Sequence, residues 1–148
     1  MIVYLGADHG GFVLKEKIKS FLIQKGYEVV DFGALALHLD DDYPDFVLPV
    51  ARAISRDIIE NKESRGIILG RSGQGEAMAA NRIDGIRATV YYGGSKDIVM
   101  LSREKNNANV LSLGSDLLVN ENIEEIILTW LTTPFSNDPR HLRRIAKF

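Results

Sequence analysis

Short apolar runs alternate with amphipathic stretches along most of the chain. The run from Met1 to Gly6 is continuously apolar, which is typical of a strand buried on both faces. Apolar residues then recur at helical spacing from Leu14 to Leu22, and Gly26 ends this predicted helix. The same alternation continues and predicts strands at residues 27–32, 66–69, 86–92 and 110–113, and helices at 45–60, 76–82, 95–106 and 122–131.

Five strands that alternate with helices predict a doubly wound α/β fold. We expect a Rossmann- or flavodoxin-like three-layer sandwich with a five-stranded parallel sheet. A length of 148 residues suits one domain, residues 1–148, with a basic C-terminal segment at 134–148. Pro49 fits the second helix only in its first turn. Ligands of such sheets bind at the carboxyl ends of the strands, so the loops after the strands are the place for chemistry.

Composition and charge exclude several classes of protein. Hydrophobic residues make up 45% and charged residues 26%, which argues against disorder. A net charge of −2 gives no overall positive field for nucleic acid. Cysteine is absent, which excludes disulfides, thiolate metal sites and cysteine nucleophiles. No apolar run approaches the ~18 residues of a membrane span, and no secretory signal is present, so we expect a cytoplasmic protein.

The loop after the first predicted strand carries the sequence GADHGG. Asp8 and His9 stand side by side among glycines, where backbone and ligand can approach closely. A structural interpretation is equally open, with Asp8 capping the next helix and His9 on the surface.

The loop after the third predicted strand, GRSGQGE, spans residues 70–76. Glycines between a strand and a helix point backbone N–H groups at one spot, which favours an anion. The loop matches neither a Walker A motif nor GxGxxG, so it specifies no nucleotide. Glu76 falls in the first helical turn, where a carboxylate is also favourable for structural reasons alone.

Three polar residues nearer the C-terminus are further candidates. Asn106 can hydrogen-bond an enediolate oxygen, although asparagine also commonly ends helices. Arg140 and Arg144 are four residues apart, so on a helix they share one face and can grip one phosphate. The alternative is a solvated basic tail.

The sequence gives no spacing typical of a metal site. His9, His38 and His141 lie in three distant segments. The acidic run at 40–42 lacks the pattern of a calcium loop and is interpreted as a solvated loop. We therefore expect no metal site.

Taken together, the segments resemble the ribose-5-phosphate isomerase B family, which includes galactose- and allose-6-phosphate isomerases. The resemblance covers nearly the whole chain and rests on six motifs in order: GADHGGF, DDYPDF, GIILGRSGQGEAMAANR, GIRATV, SREKNNANVLSLG and PRHLRR. It implies a doubly wound domain that forms a homodimer with active sites at the subunit interface; a tetramer is also compatible. It further implies aldose–ketose isomerisation of a phosphosugar without a cofactor.

The resemblance also implies roles for individual residues. Glu76 stands where the glutamate-base branch of the family has the residue that moves the proton between C1 and C2, whereas the other branch has a cysteine base at the position of Gly70. Ser72 and Asp8 would assist catalysis. The residues that would bind substrate are His9, Tyr43, Gly70, Arg71, Gly73, Gln74, Gly75, Asn106 from the partner subunit, Arg140 and Arg144.

The chain departs from the family pattern at three positions. Lys105 stands in place of a histidine linked to ring opening, and an ammonium is a poor proton relay at neutral pH. Asp116 stands where many members have an arginine directed toward phosphate, and Arg71 where glycine is common. We hypothesise that Arg71, oriented through Asp116, supplies the cation that position 116 lacks.

Three functions remain open on sequence alone. The leading interpretation is an isomerase acting on ribose 5-phosphate and ribulose 5-phosphate, or on a related hexose 6-phosphate pair, through a cis-enediolate. The altered residues at positions 105 and 116 leave a catalytically silent phosphosugar-binding subunit as the alternative. A flavodoxin-like nucleotide-binding module is the third possibility.

Overall fold

The computed structural model describes residues 1–148, and its elements alternate as the sequence predicts. The strands are β1 (Ile2–Ala7), β2 (Glu28–Asp31), β3 (Ser64–Gly70), β4 (Ala88–Tyr91) and β5 (Val110–Gly114). The helices are α1 (Phe12–Gln24), α2 (Pro44–Ile59), α3 (Gln74–Ala80), α4 (Asp97–Asn106), α5 (Ile123–Thr132) and α6 (Pro139–Ile145), with a short 3₁₀ turn at Ser115–Leu117.

The five strands form one parallel sheet in the order β2-β1-β3-β5-β4. The predicted doubly wound three-layer fold is therefore confirmed. The chain moves outward from β1 to β2 and then returns to the other side of β1 with β3. The order thus reverses between β1 and β3, where folds of this kind open a crevice at the carboxyl edge. Ala7 pairs with Leu69 and Gly70 with Gly114 at that edge.

Two apolar layers pack on opposite faces of the sheet. One face carries α1, α4 and α5 and is centred on the fully buried Trp130. The other face carries α2 and α3, with Val50 and Ile54 packed against Ile68. Burying each such side chain contributes about 1.5–3 kcal/mol, so this packing fixes the frame that holds the loops.

Pro49 lies inside α2, which corrects the expectation that it occupies the first turn. The helix begins at Pro44, one residue before the predicted start, so Pro49 is its sixth residue. A proline there removes one helical hydrogen bond, at a cost of about 3 kcal/mol. Burial of Val47 and Val50 on either side of Pro49 offsets that cost.

The loop from β2 to α2 is anchored by a buried ion pair. Lys15 is fully buried, and its Nζ lies 2.6 Å from Oδ2 of Asp31 at the end of β2. The other carboxylate oxygen of Asp31 accepts from the Gly33 N–H at 2.9 Å. Burial raises the pKa of Asp31, but hydrogen bonds from Lys15 and Lys19 outweigh it and leave the pKa below its usual value. The pair therefore fixes the start of the loop that carries Tyr43.

The C-terminal basic segment forms α6, which packs at the end of α4. The Asp138 carboxylate caps α6 by accepting from the Arg140 N–H at 2.7 Å. The Ser136 N–H donates to the Glu104 carbonyl at 3.0 Å and so ties the segment to α4. No helix of the chain combines the length and apolar character that crossing a bilayer requires.

Candidate active site

Glu76 lies at the carboxyl edge of the sheet, in the first turn of α3. Only 5% of its surface is exposed, although glutamate is rarely buried without a cationic partner. Burial raises the pKa of its carboxyl group; a hydrogen bond from its own backbone N–H lowers the pKa, and the charge of nearby Asp8 raises it. The net shift of the pKa is upward, so burial prevails over the backbone hydrogen bond. A carboxylate tuned in this way suits a general base.

Gly70 provides the space for this carboxylate. A Cβ atom at position 70 would overlap the carboxyl group of Glu76. The Glu76 carboxylate therefore occupies the volume of a side chain at position 70, at the end of β3.

The turn between β3 and α3 contains backbone N–H groups that have no acceptor within the chain. Gly73 adopts a φ of 75°, which favours glycine, and a Cβ there would lie 3.0 Å from the Leu113 carbonyl carbon. The Ser112 hydroxyl fixes this turn by donating to the Gly73 carbonyl at 2.6 Å. The Gln74 N–H donates to the Ser72 hydroxyl at 3.3 Å, whereas the N–H groups of Ser72, Gly73 and Gly75 donate to no group of the chain. These free N–H groups can stabilise a developing oxyanion.

Tyr43 reaches the same turn from the start of α2. A Cβ atom added to Gly75 would lie 2.8 Å from the Tyr43 hydroxyl oxygen and 2.9 Å from its Cζ. The tyrosine side chain therefore lies directly against α3, one residue from Glu76.

Asp8 and His9 follow β1 and meet an aspartate from another loop. Asp41 Oδ1 lies 2.6 Å from His9 Nδ1 and accepts from the His9 backbone N–H at 3.0 Å. Asp8 Oδ2 lies 3.8 Å from the same ring nitrogen, and Asp8 Oδ1 accepts from the Gly10 N–H at 2.9 Å. Asp8 is buried rather than serving as the cap of α1, which has no side-chain cap.

Asp41 corrects the interpretation of residues 40–42 as a solvated loop. Its side chain is only 12% exposed. Potential metal-ligating atoms of Asp8, His9 and Asp41 lie within 4.8 Å of one another, which the sequence spacing did not predict. The hydrogen bonds from His9 account for the closeness of Asp41. The only sequence signal for Asp41 is its place in the motif DDYPDF, two residues before Tyr43.

Arg71 and Asp116 form an exposed ion pair at this edge of the sheet. Arg71 Nη1 lies 3.3 Å from Asp116 Oδ2, and both side chains are mostly exposed. The stem of Arg71 passes over Gly10, where a Cβ would lie 2.8 Å from Arg71 Cγ. The hydrogen bond to Asp41 raises the pKa of His9, and the positive charge of the Arg71 guanidinium opposes that rise. The pair predicted from sequence is thus present beside His9.

Asn106, Arg140 and Arg144 lie away from this cluster. Asn106 ends α4, just before β5 begins, and so stands at the amino edge of the sheet. It lines a cavity of about 570 Å³ together with Ala88, at the start of β4, and the C-terminal Phe148. Within one chain, the structure does not bring these three residues together with Glu76.

Comparisons with known proteins bear on the family of this chain and on its fold. The family model described as Ribose/Galactose Isomerase matches residues 3–148. Ribose-5-phosphate isomerase B of Mycolicibacterium paratuberculosis is 41% identical over 145 residues, which span 98% of this chain and 87% of that protein.

Two solved structures are also similar to this chain. Ribose-5-phosphate isomerase B of Clostridium thermocellum superposes with a TM-score of 0.89 at 39% identity, covering 99% of this chain and 94% of that one. The Mycoplasma genitalium enzyme with bound ribulose-5-phosphate gives a TM-score of 0.90 at 34% identity, covering 99% and 92%. Both the sequence match and the fold extend over nearly the full length, and the chain belongs to the ribose/galactose isomerase family.

Proposed function

We propose that this chain interconverts ribose 5-phosphate and ribulose 5-phosphate, with Glu76 moving the proton between C1 and C2. The observation that carries the proposal is a buried carboxylate with a raised pKa at the carboxyl edge of the sheet. Relatives that share the whole fold are named as ribose-5-phosphate isomerases, and one was solved with ribulose-5-phosphate bound. These relatives favour the isomerase over a silent subunit or a nucleotide-binding module.

The reaction moves a carbonyl group along the open-chain sugar. Glu76 removes the proton from C2 of the aldose, so that the C1 carbonyl becomes an enediolate oxygen, and the proton is then returned to C1. The hydroxyl proton of O2 passes to O1, and O2 becomes the carbonyl oxygen of the ketose. A raised pKa suits this cycle, because the same carboxyl group must both accept and donate a proton near neutral pH. No electrons leave the substrate, so the reaction balances without a redox partner.

The residues around Glu76 supply the remaining parts of the chemistry. The free N–H groups of Ser72, Gly73 and Gly75 stabilise the enediolate oxygen. The Ser72 hydroxyl and Asp8 contact the reacting end of the sugar, and the Tyr43 hydroxyl binds along it. His9, the exposed Gln74 and Arg71 complete the contacts of this subunit with the sugar and its phosphate.

A homodimer completes the site. Glu76 lines none of the four main cavities of the chain, and Asn106 stands at the opposite edge of the sheet. A partner subunit that presents its amino edge to Glu76 adds Asn106 and closes the crevice. Arg140 and Arg144 are four apart on α6 and exposed, which suits binding of the phosphate dianion. We place the enzyme in the cytoplasm.

A turnover assay tests the proposal. Wild type, Glu76→Gln and the exposed control Glu60→Gln are compared on ribose 5-phosphate and on hexose 6-phosphates. We expect turnover of the pentose by wild type and the control, and a fall in kcat of about 10²–10⁴-fold in Glu76→Gln. Binding without turnover of any sugar by wild type would establish the silent subunit instead.

A further inference from the structure

His9 is clamped by Asp41 through both its main chain and its side chain. One carboxylate oxygen, Oδ1, accepts from the His9 backbone N–H at 3.0 Å and lies 2.6 Å from Nδ1 of the ring. The ring cannot rotate about its Cα–Cβ bond without breaking the shorter contact. Nε2 has no partner within the chain, so it is the ring nitrogen free to meet a ligand.

No cation other than His9 pairs with the Asp41 carboxylate. His9 is the only ion-pair partner of Asp41, and no lysine or arginine lies within salt-bridge distance. The second oxygen, Oδ2, is buried and accepts no hydrogen bond. A buried carboxylate in this position stabilises the protonated ring, in which both nitrogens carry a proton.

We propose that Asp41 is a positioning residue that holds His9 as a cation, with Nε2–H as a charged donor to an anionic oxygen of the substrate. The proposal rests on the proposed function, in which His9 contacts the phosphosugar. The phosphate is a dianion near neutral pH, so a charged donor binds it more strongly than a neutral imidazole.

The groups that face His9 set its titration. Asp41 and Asp8 favour the charged ring, whereas Arg71, from the β3–α3 turn, opposes it. The hydrogen bond to Asp41 is the largest influence, and the pKa of His9 lies above its ordinary value. Burial raises the pKa of Asp41, but the His9 hydrogen bonds and charges, with a smaller contribution from His38, leave it below the usual value. The ion pair is thus complete between these two pKa values and is lost as pH rises through that of His9.

The first experiment measures KM and kcat for ribose 5-phosphate against pH. It compares wild type, Asp41→Asn, the conservative Asp41→Glu and the exposed neighbour control Asp40→Asn. In wild type we expect KM to increase as His9 loses its proton. In Asp41→Asn this increase begins at lower pH, so that KM at pH 7.5 is about threefold to tenfold higher, with kcat changed less than about twofold. Asp41→Glu restores part of the affinity, and Asp40→Asn matches wild type.

An Asp41→Asn profile that coincides with wild type overturns the proposal. If the Asp41 variants fail to fold, a second measurement still tests the proposal. It determines the pKa of the His9 imidazole in wild type by NMR titration. The chain has only three histidines, so loss of one signal in His9→Gln identifies it. A pKa of His9 at or below its ordinary value overturns the proposal; a higher value supports it. If wild type turns over no pentose phosphate, the proposed function fails, while the NMR result still decides the Asp41–His9 coupling.

Discussion

The Arg71 guanidinium group lies 3.3 Å from the Asp116 carboxylate and beside His9, so this chain has an oriented cation at the mouth of its candidate site. An ion pair this exposed contributes little to stability, on the order of 0–1 kcal/mol. We therefore expect this ion pair to contribute to ligand binding rather than to the stability of the fold.

Substitution of Arg71 by alanine tests this expectation. We predict that Arg71→Ala increases KM for ribose 5-phosphate about threefold to thirtyfold, since one charged hydrogen bond to the phosphate is lost. The melting temperature should change by less than about 4 °C. Lys62→Ala, which removes another exposed ion pair from the end of α2, is the matched control and should leave KM unchanged. Equal affinity of Arg71→Ala and wild type would refute the role of Arg71.

The pH dependence of turnover follows from the raised pKa of Glu76. The base works only when it is ionised, so kcat should fall as pH decreases through this raised pKa, above the range of an ordinary glutamate. Burial of the ionised form also destabilises the folded protein. This cost is complete above the raised pKa, shrinks as pH falls through it and is gone only below the ordinary pKa of glutamate. Glu76→Gln should therefore melt a few degrees higher than wild type at pH 7.5, and the difference should shrink toward pH 4. A lower melting temperature for Glu76→Gln at pH 7.5 would contradict burial as the main cause.

Gly70→Ala tests the shared space between positions 70 and 76. The added methyl group overlaps the Glu76 carboxyl group, so Glu76 must leave its place in the site. We predict a loss of kcat of at least about tenfold with the fold retained, measured by turnover and circular dichroism. Gly26→Ala offers a comparison: it has open space but a φ of 83°, so it should cost stability and spare kcat. Full activity of Gly70→Ala would mean that Glu76 does not act from its observed position.

Mixing two inactive variants tests whether one site draws on two subunits. In the proposed homodimer, Glu76→Gln and Asn106→Ala would each damage every site of their own dimers. In a mixed dimer, one site receives both damaged residues and the other receives both intact ones. Random pairing after refolding together should restore about one quarter of wild-type activity. Activity that stays at the level of the separate variants would mean that Glu76 and Asn106 act within one chain, or that they do not share a site.

The framework of this fold follows from local sequence, and the assembly of its site does not. β1 and β5 were predicted from short apolar runs, because a strand buried on both faces needs only such a run. β3 begins two residues earlier than predicted, at Ser64. Its second residue, Arg65, is charged but buried, and its guanidinium lies 5.7 Å from the centre of the Trp130 ring. No local sequence pattern predicts the contact between Arg65 and Trp130, since the two residues are 65 positions apart.

In the candidate site, too, the local features follow from the sequence and the long-range contacts do not. Glycines and the first-turn carboxylate marked the turn at residues 70–76 as a candidate site, because backbone conformation there depends on the local residues. Asp41 was missed, because its contact with His9 spans 32 residues and depends on where the β2–α2 loop folds back. The burial that raises the pKa of Glu76 is likewise a property of the packing of α3 against β3, β5 and α2. The sequence identifies Glu76 as a candidate base, but the fold determines the pKa of its carboxyl group.

The crowding between positions 70 and 76 also limits how this protein can evolve. A lineage that exchanges a base at position 76 for one at position 70 must change both residues. If the larger residue at position 70 arrives first, it collides with the Glu76 carboxyl group; if the glutamate leaves first, the proposed base is lost. Each single step is harmful, so the two choices of base should persist as separate branches of descent with few intermediates between them.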